Sequence, residues 1–315
     1  MSDYTQTNDF SAKDALATGD PNKKIVGAQV DTELSALSTA IASKADIAGE
    51  AHTGTHSFAG DTSFAVGVTG IGTGINGKIA AHTNLVVRTD VTTPDEEVDV
   101  TADELIVKNT SGQQIRLTTV SETASNIGTL NTAGGITSAT VAIDTWYGIW
   151  IIHKTGATDC VITPITDTLT DVLGDVAGTY THGAFVGAVL TDGTSDNIPF
   201  IQTNKKSSLV TQMVDYDQAN AGTTGISVTL TAPPNSVASF SVTNTGNTAA
   251  NYILVTEIGQ TDTTPSLSFS DFGASSGFSG AGQFTIRADA SSQVRIRQSQ
   301  TSGDHLVVTR GWAWE

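Results

Sequence analysis

After residue 46 the chain reads as strand and turn almost throughout. Before it lie an arm and one amphipathic helix, so the sequence predicts a β-rich body with a separate N-terminal segment. Runs with alternating apolar residues, bounded by Gly, Asn, Asp and Pro, recur along the body and read as half-buried strands. In the first half these are Leu85–Arg88, Glu97–Val100, Glu104–Lys108, Gln114–Leu117, Ala139–Ile143, Trp146–Lys154, Asp159–Pro164 and Ala184–Leu190. In the second they are Gly225–Leu230, Val237–Val242, Tyr252–Ile258, Gln283–Arg287, Gln293–Gln298 and Leu306–Trp314. Only Leu169–Gly178 leaves a short helix and a β excursion equally open. This spacing predicts a mainly β fold with two tandem antiparallel β-sandwich, jelly-roll-like domains over residues 84–206 and 207–315.

Residues 47–83 are poor in large side chains and rich in Gly, Thr and Ala. One copy cannot bury enough apolar area there to offset the entropy of ordering, whereas intertwined copies could, so the segment reads as a neck. A flexible linker is the bland alternative. Ahead of it, Val30–Lys44 forms a short helix with Asp31 as its N-cap. Its apolar residues Val30, Leu34, Leu37 and Ile41 make a narrow seam, suited to partner helices or a docking groove. Residues 1–29 read as an extended, turn-punctuated arm, with Pro21 excluding helix just before it.

The arm carries a further signal. Lys13, Asp14, Gly19, Asp20, Pro21, Lys24, Ile25 and Gly27 fall in step with a leader found before an Ala-rich helix, and residues 1–46 resemble the N-terminus of bacteriophage tail-fibre and related virion proteins. Looser similarity to phage fibre modules lies in Asp144–Ile152, Tyr180–Val189, Pro233–Asn235 and Gly311–Trp314. There Thr179-Tyr180 stands where Gly-Tyr is usual, and no ligand-binding residue is carried across. The resemblance implies a homotrimeric structural protein in the virion, made in the host cytoplasm. Residues 1–46 would anchor it to other virion proteins of tail or head, through Phe10, Lys13, Asp14, Leu16, Asp20, Pro21, Lys24 and Ile25. Its distal domains would serve host recognition and attachment, through a host-surface receptor or glycan. A capsid-attached head fibre or decoration protein is the alternative in the same particle. A free carbohydrate-binding β-sandwich protein is the alternative of another class.

Composition narrows the partners. A formal net charge of −17, with no Lys/Arg stripe, argues against nucleic acid and anionic membranes. No apolar run approaches the ~20 residues of a membrane span, and the polar N-terminus shows no secretory signal. A single cysteine, Cys160, excludes an internal disulfide framework.

No enzyme, cofactor or metal is expected. H-E-x-x-H and phosphate-loop motifs are missing, and no rung repeat of a depolymerase β-helix is visible. His52 and His56 are four apart, but Gly54 argues against the helix that would bring both to one ion. Asp95, Glu96, Glu97, Asp99, Asp103 and Glu104 read as a solvated acidic rim, and Asp192–Asn197 as a hairpin turn. Cys160 reads as a buried structural thiol. Trp146 and Trp150 share one strand face, as do Trp312 and Trp314, which implies core packing, with sugar stacking as the functional alternative. The Gly/Ser-rich stretch at 273–282 offers Phe272 and Phe278 as receptor contacts or as buried anchors, the latter being the bland reading.

Overall fold

The computed structural model describes residues 6, 8–45, 80–126, 131–137, 140–219 and 222–314. The chain divides into two compact units, Met1–Ser63 and Phe64–Glu315. Most of the neck, with His52 and His56, lies outside the described residues, as does the side chain of Ile41.

The first unit holds α1 (Phe10–Asp14), a 3-10 turn (Pro21–Lys23) and α2 (Gly27–Ala45). Two expectations are corrected here. The arm is not extended, and α2 begins before Val30, so Asp31 is inside the helix rather than its N-cap. The Gln29 side chain explains the earlier start. Its Oε1 accepts the Val26 N–H at 3.4 Å, the reach-back half of a capping box.

Among its described residues the second unit holds sixteen strands and one short helix. In order these are β1 (His82–Thr83), β2 (Val86–Thr89), β3 (Glu97–Lys108), β4 (Gln114–Ser125), β5 (Trp146–Lys154), β6 (Ala157–Pro164), α3 (Leu169–Asp175), β7 (His182–Leu190), β8 (Phe200–Thr203) and β9 (Lys206–Gln218). There follow β10 (Ile226–Thr229), β11 (Val237–Thr245), β12 (Asn251–Glu257), β13 (Phe272–Ala274), β14 (Gly280–Arg287), β15 (Gln293–Gln298) and β16 (Asp304–Ala313). The fold is mainly β, and the strand pairings are antiparallel. A twelve-stranded sheet runs β14-β11-β16-β9-β8-β2-β3-β7-β5-β6, with β1 and β4 also on β3, and a four-stranded sheet runs β10-β15-β12-β13.

Two differences from the expected strands have clear causes. Glu97–Val100 and Glu104–Lys108 are one strand, because Thr101 and Ala102 stay paired with Ser121 and Val120. The register is the same on both sides of Asp103, which stands opposite Thr119, whose φ is +55°. The polar residues therefore lie within one continuous ladder rather than in a turn. Strands β8 and β9 were not expected. Strand β9 is exposed over much of its length, and neighbours on both sides recruit it: β8 at Lys206–Leu209, and β16 at Lys206–Ser208 and again from Met213 to Gln218. The large sheet thus runs unbroken through the 206/207 boundary, across the β8–β9 hairpin.

The open choice at Leu169–Gly178 resolves as a helix. Thr168 and Asp171 form a capping box, with Thr168 N–H donating to Asp171 Oδ2 at 2.9 Å. This helix buries Val172 against Trp150, Ile152, Val161, Val176 and Tyr180 on one face of β5 and β6. The main core lies on the other face, with Tyr147, Ile149, Ile151 and Cys160. It continues without interruption into the second half, through Phe240, Ile253, Ile296 and Val307.

Aromatic rings tie the two halves together. Trp312 meets Trp146 edge-on at 5.1 Å and lies tilted on Phe200 at 5.7 Å. Phe185 meets both Trp150, at 5.5 Å, and Trp314, at 5.1 Å. A Cβ on Gly148 would stand 3.1 Å from Trp150 Nε1 and 3.3 Å from Phe185, so this row of rings needs glycine beneath it. Buried Gln202 completes the junction. Its Nε2 donates to Val186 O at 2.7 Å and Asn204 O at 2.9 Å, while its Oε1 accepts Ser207 Oγ–H at 3.1 Å and Trp314 Nε1–H at 3.3 Å. The tryptophans are used in packing, which displaces the sugar-stacking alternative.

Candidate functional site

The residues singled out in the arm come together as a self-closed loop. Asp9 caps α1 by accepting from Ser11 N–H at 3.0 Å and Ala12 N–H at 3.1 Å, and the Ser11 hydroxyl, donating at 2.6 Å, together with these N–H groups holds its carboxyl below the usual range. Lys13 Nζ donates to Asn22 O at 3.2 Å and Lys24 O at 3.3 Å. Lys23 Nζ returns to Asp14 O at 3.3 Å and Leu16 O at 2.9 Å. Asp20 Oδ1 accepts Asn22 N–H at 2.8 Å, capping the turn in which Pro21 needs no N–H partner. Two ammonium groups on backbone carbonyls therefore join the two ends of the loop. Sequence reasoning missed this clasp, because the bonds join Lys side chains to carbonyls several residues away.

The clasp leaves apolar side chains outside. Phe10 and Leu16 are half-buried, while Ile25 and Val26 are each 50% exposed. Along α2, Val30, Leu34 and Leu37 are 41%, 57% and 41% exposed, while Glu33 turns inward to accept from Asn8. Of the expected anchor, Lys13 and Asp20 are thus bonded through their side chains, Asp14 and Lys24 through their backbone carbonyls, and Ile25 stays half exposed.

On the body, Phe272 is half-buried and meets Phe284 at 6.1 Å, so it is an anchor. Phe278 is 71% exposed at the β13–β14 turn. The backbone beneath it is pinned: Gly277 N–H donates to Asn247 O at 2.8 Å, Asn247 Nδ2 to Phe278 O at 3.2 Å, and Ser276 Oγ to Thr248 O at 2.9 Å. The turn presents a phenyl ring on a fixed frame.

The remaining candidates hold structure rather than do chemistry. Glu97 accepts from Thr93, Asp99 from Thr123, Asp103 from Asn84, and Glu104 pairs with Arg116, so the acidic rim never converges. Asp192 Oδ1 accepts the N–H groups of Thr194 and Asp196, an ordinary Asx turn. Cys160 is buried, and desolvation pushes its thiol up. Tyr180 donates to Asp159 under the Lys154 ammonium, and burial with that bond pushes its hydroxyl up to about 12. A groove of about 380 Å³ beside β4 is lined in part by Glu122, His153 and Thr158, and His153 Nδ1 is taken by Thr158 Oγ1 at 3.0 Å. Among the described residues no group of three His, Cys, Asp or Glu side chains is placed to hold a metal, and no helix is long and apolar enough to cross a membrane.

His305 carries the clearest pH dependence. It is buried in β16, and desolvation lowers its pKa from 6.5 to about 4, against the opposing pull of Asp304. The folded state therefore favours neutral imidazole. The associated stability is complete above pH 6.5 and is lost as pH falls from 6.5 towards 4. By the linkage of about 1.4 kcal/mol per pKa unit, the loss is on the order of 3 kcal/mol. The difference in unfolding free energy between wild type and His305→Phe, measured by urea titration at pH 7 and 4.5, should shrink at the lower pH. An unchanged difference would show that His305 does not titrate on unfolding.

No protein-family model matches the chain, and no curated protein matches it. Two solved structures from infectious bursal disease virus are similar in part. One, of the Gx strain, has 12% identity over 74% of this chain and 72% of that chain, with a TM-score of 0.18. The other, a VP2 subviral particle, has 13% identity over 74% and 73%, with a TM-score of 0.17. Scores this low carry no argument about a shared fold. Neither of these structures is of a phage fibre, and the expectation of a bacteriophage tail fibre is withdrawn.

Proposed function

We propose that this chain is a non-enzymatic structural protein of a viral particle, of the capsid-attached fibre or decoration kind. Residues 1–46 attach it to another virion protein, and the β body is held outward as two tandem jelly-roll-like sandwiches, 84–206 and 207–315, in a homotrimer. The observation that carries this reading is the division of labour in the N-terminal unit. Lys13, Asp20 and Lys23 are bonded within the loop, while Ile25, Val26, Val30, Leu34 and Leu37 stay exposed in one short segment. Such a concentration of exposed apolar side chains marks a protein interface. Attachment then uses Ile25 and Val26 with the rims of Phe10 and Leu16, and the seam Val30, Leu34 and Leu37 meets other copies. Phe278, on its pinned turn, is the outward contact for a host-surface receptor or glycan.

Deleting residues 1–30 should leave the β body folded by circular dichroism but absent from purified particles. Particles that still carry the truncated protein would refute the anchor. Light scattering of the full chain should give three times 32.5 kDa. A monomer at micromolar concentration would refute self-association through the seam. Phe278→Ala should keep the melting temperature and weaken adsorption to cells, and normal adsorption would remove Phe278 as the contact.

A further inference from the structure

Beneath the Phe278 turn, buried polar side chains meet where the alternation of the strands calls for apolar ones. Asn244 and His305 are cross-strand partners on β11 and β16, so both leave the sheet on one face. Asn251 and Gln298 come from the four-stranded sheet. Asn251 Nδ2 donates to Gln298 Oε1 at 2.9 Å, Asn247 Oδ1 at 3.0 Å and Ser302 O at 2.9 Å. Asn244 Nδ2 reaches the same Gln298 Oε1 at 3.5 Å. Asn244, Asn251, Gln298 and His305 are each at most 1% exposed.

Four polar atoms in this cluster have no protein partner: Asn244 Oδ1, Gln298 Nε2 and both ring nitrogens of His305. Leaving any of them unsatisfied in the interior is unfavourable. Buried polar groups are normally paired, so several orphans in one place call for an explanation. Their chemistry is specific. Asn244 Oδ1 only accepts, Gln298 Nε2 only donates, and a neutral imidazole offers one of each. A cation would need acceptors alone and an anion donors alone. A water molecule, with two protons to give and two lone pairs, suits the mixed set.

We propose that this cluster is a binding site for an internal water molecule, which accepts from Gln298 Nε2, donates to Asn244 Oδ1 and bonds a His305 nitrogen. Gly303 closes the site. A Cβ there would stand 2.7 Å from both Asn244 Nδ2 and Asn247 Oδ1, so the loop backbone lies directly on the amides. Because Asn247 also holds the Phe278 carbonyl, the hydrated cluster is the footing of the exposed turn.

A crystal structure of the full chain that resolves ordered solvent should show a water within ~3.2 Å of all three groups. Oxygen-17 relaxation dispersion should count one fewer long-lived water in Gln298→Leu than in wild type. Amides turned to satisfy one another, with no density between them, would overturn the proposal. So would a strongly scattering ion in that position, or an equal water count in a folded Gln298→Leu. If that variant does not fold, the crystallographic result alone decides.

Discussion

Gly311→Ala should be among the most damaging single substitutions in the body. The new methyl would stand 2.1 Å from the Ser207 carbonyl oxygen and 3.0 Å from Ser208 Cα, and both obstacles are backbone. The cause is the pairing of β16 with β9. Gly311 opposes Ser208, while Thr309 opposes Met213, so β9 makes an excursion between them and the strands draw together at the glycine. Neither strand can retreat, because Trp312 next door is buried and Ser207 is bonded to Gln202. Overpacking against fixed backbone belongs to the short class of mechanisms that reach about 4 kcal/mol. For a body of this size that lowers the melting temperature by about 10 °C. Gly193→Ala is the control, since nothing stands within 4 Å of its added Cβ. Equal melting temperatures for the two variants would mean that β16 and β9 are not in close register.

Much of the body was legible from alternation alone. Strand β15 falls where Gln293–Gln298 was expected, and β5 where Trp146–Lys154 was. Strand β15 carries Val294 and Ile296 at period two, whereas β5 is a near-continuous apolar run buried on both faces. Strand β9 was not legible, because its partners rather than its own pattern make it a strand. The clasp in the arm was not legible either, since Lys-to-carbonyl bonds leave no period in a sequence. The amide and imidazole cluster did leave a signal. Asn244 follows Phe240 and Val242 at period two, Gln298 follows Val294 and Ile296, and His305 precedes Val307, so each occupies an inward position. A polar residue in phase with a buried face is the pattern to look for. Phe272 and Phe278, by contrast, could not be separated in advance, because a turn fixes one ring inside and leaves the other outside regardless of composition.

Trp312→Ala is the second large effect expected, and a companion substitution separates its causes. The indole is 2% exposed between Trp146, from the first half of the body, and Phe200 at the start of the β8–β9 hairpin. Removing it takes away the ring through which the last strand meets the first half, and the cavity cannot close, because Gly148 and Gln202 already fix the surrounding backbone. A loss of about 3–5 kcal/mol follows from the transfer and cavity costs of a large buried aromatic. The Nε1–H of Trp312 has no protein partner, so part of its burial is already unfavourable. Trp312→Phe keeps a ring in contact with both neighbours and deletes that donor. Its net cost should therefore stay within ~1 kcal/mol, the smaller ring and the relieved N–H partly cancelling. Chemical denaturation of the three proteins orders them directly. Wild type and Trp312→Phe should unfold at similar urea concentrations, with Trp312→Ala far below. If Trp312→Phe instead falls as low as Trp312→Ala, the indole nitrogen holds a bond that the stability depends on. The junction between the halves would then be polar in character rather than a packing of rings.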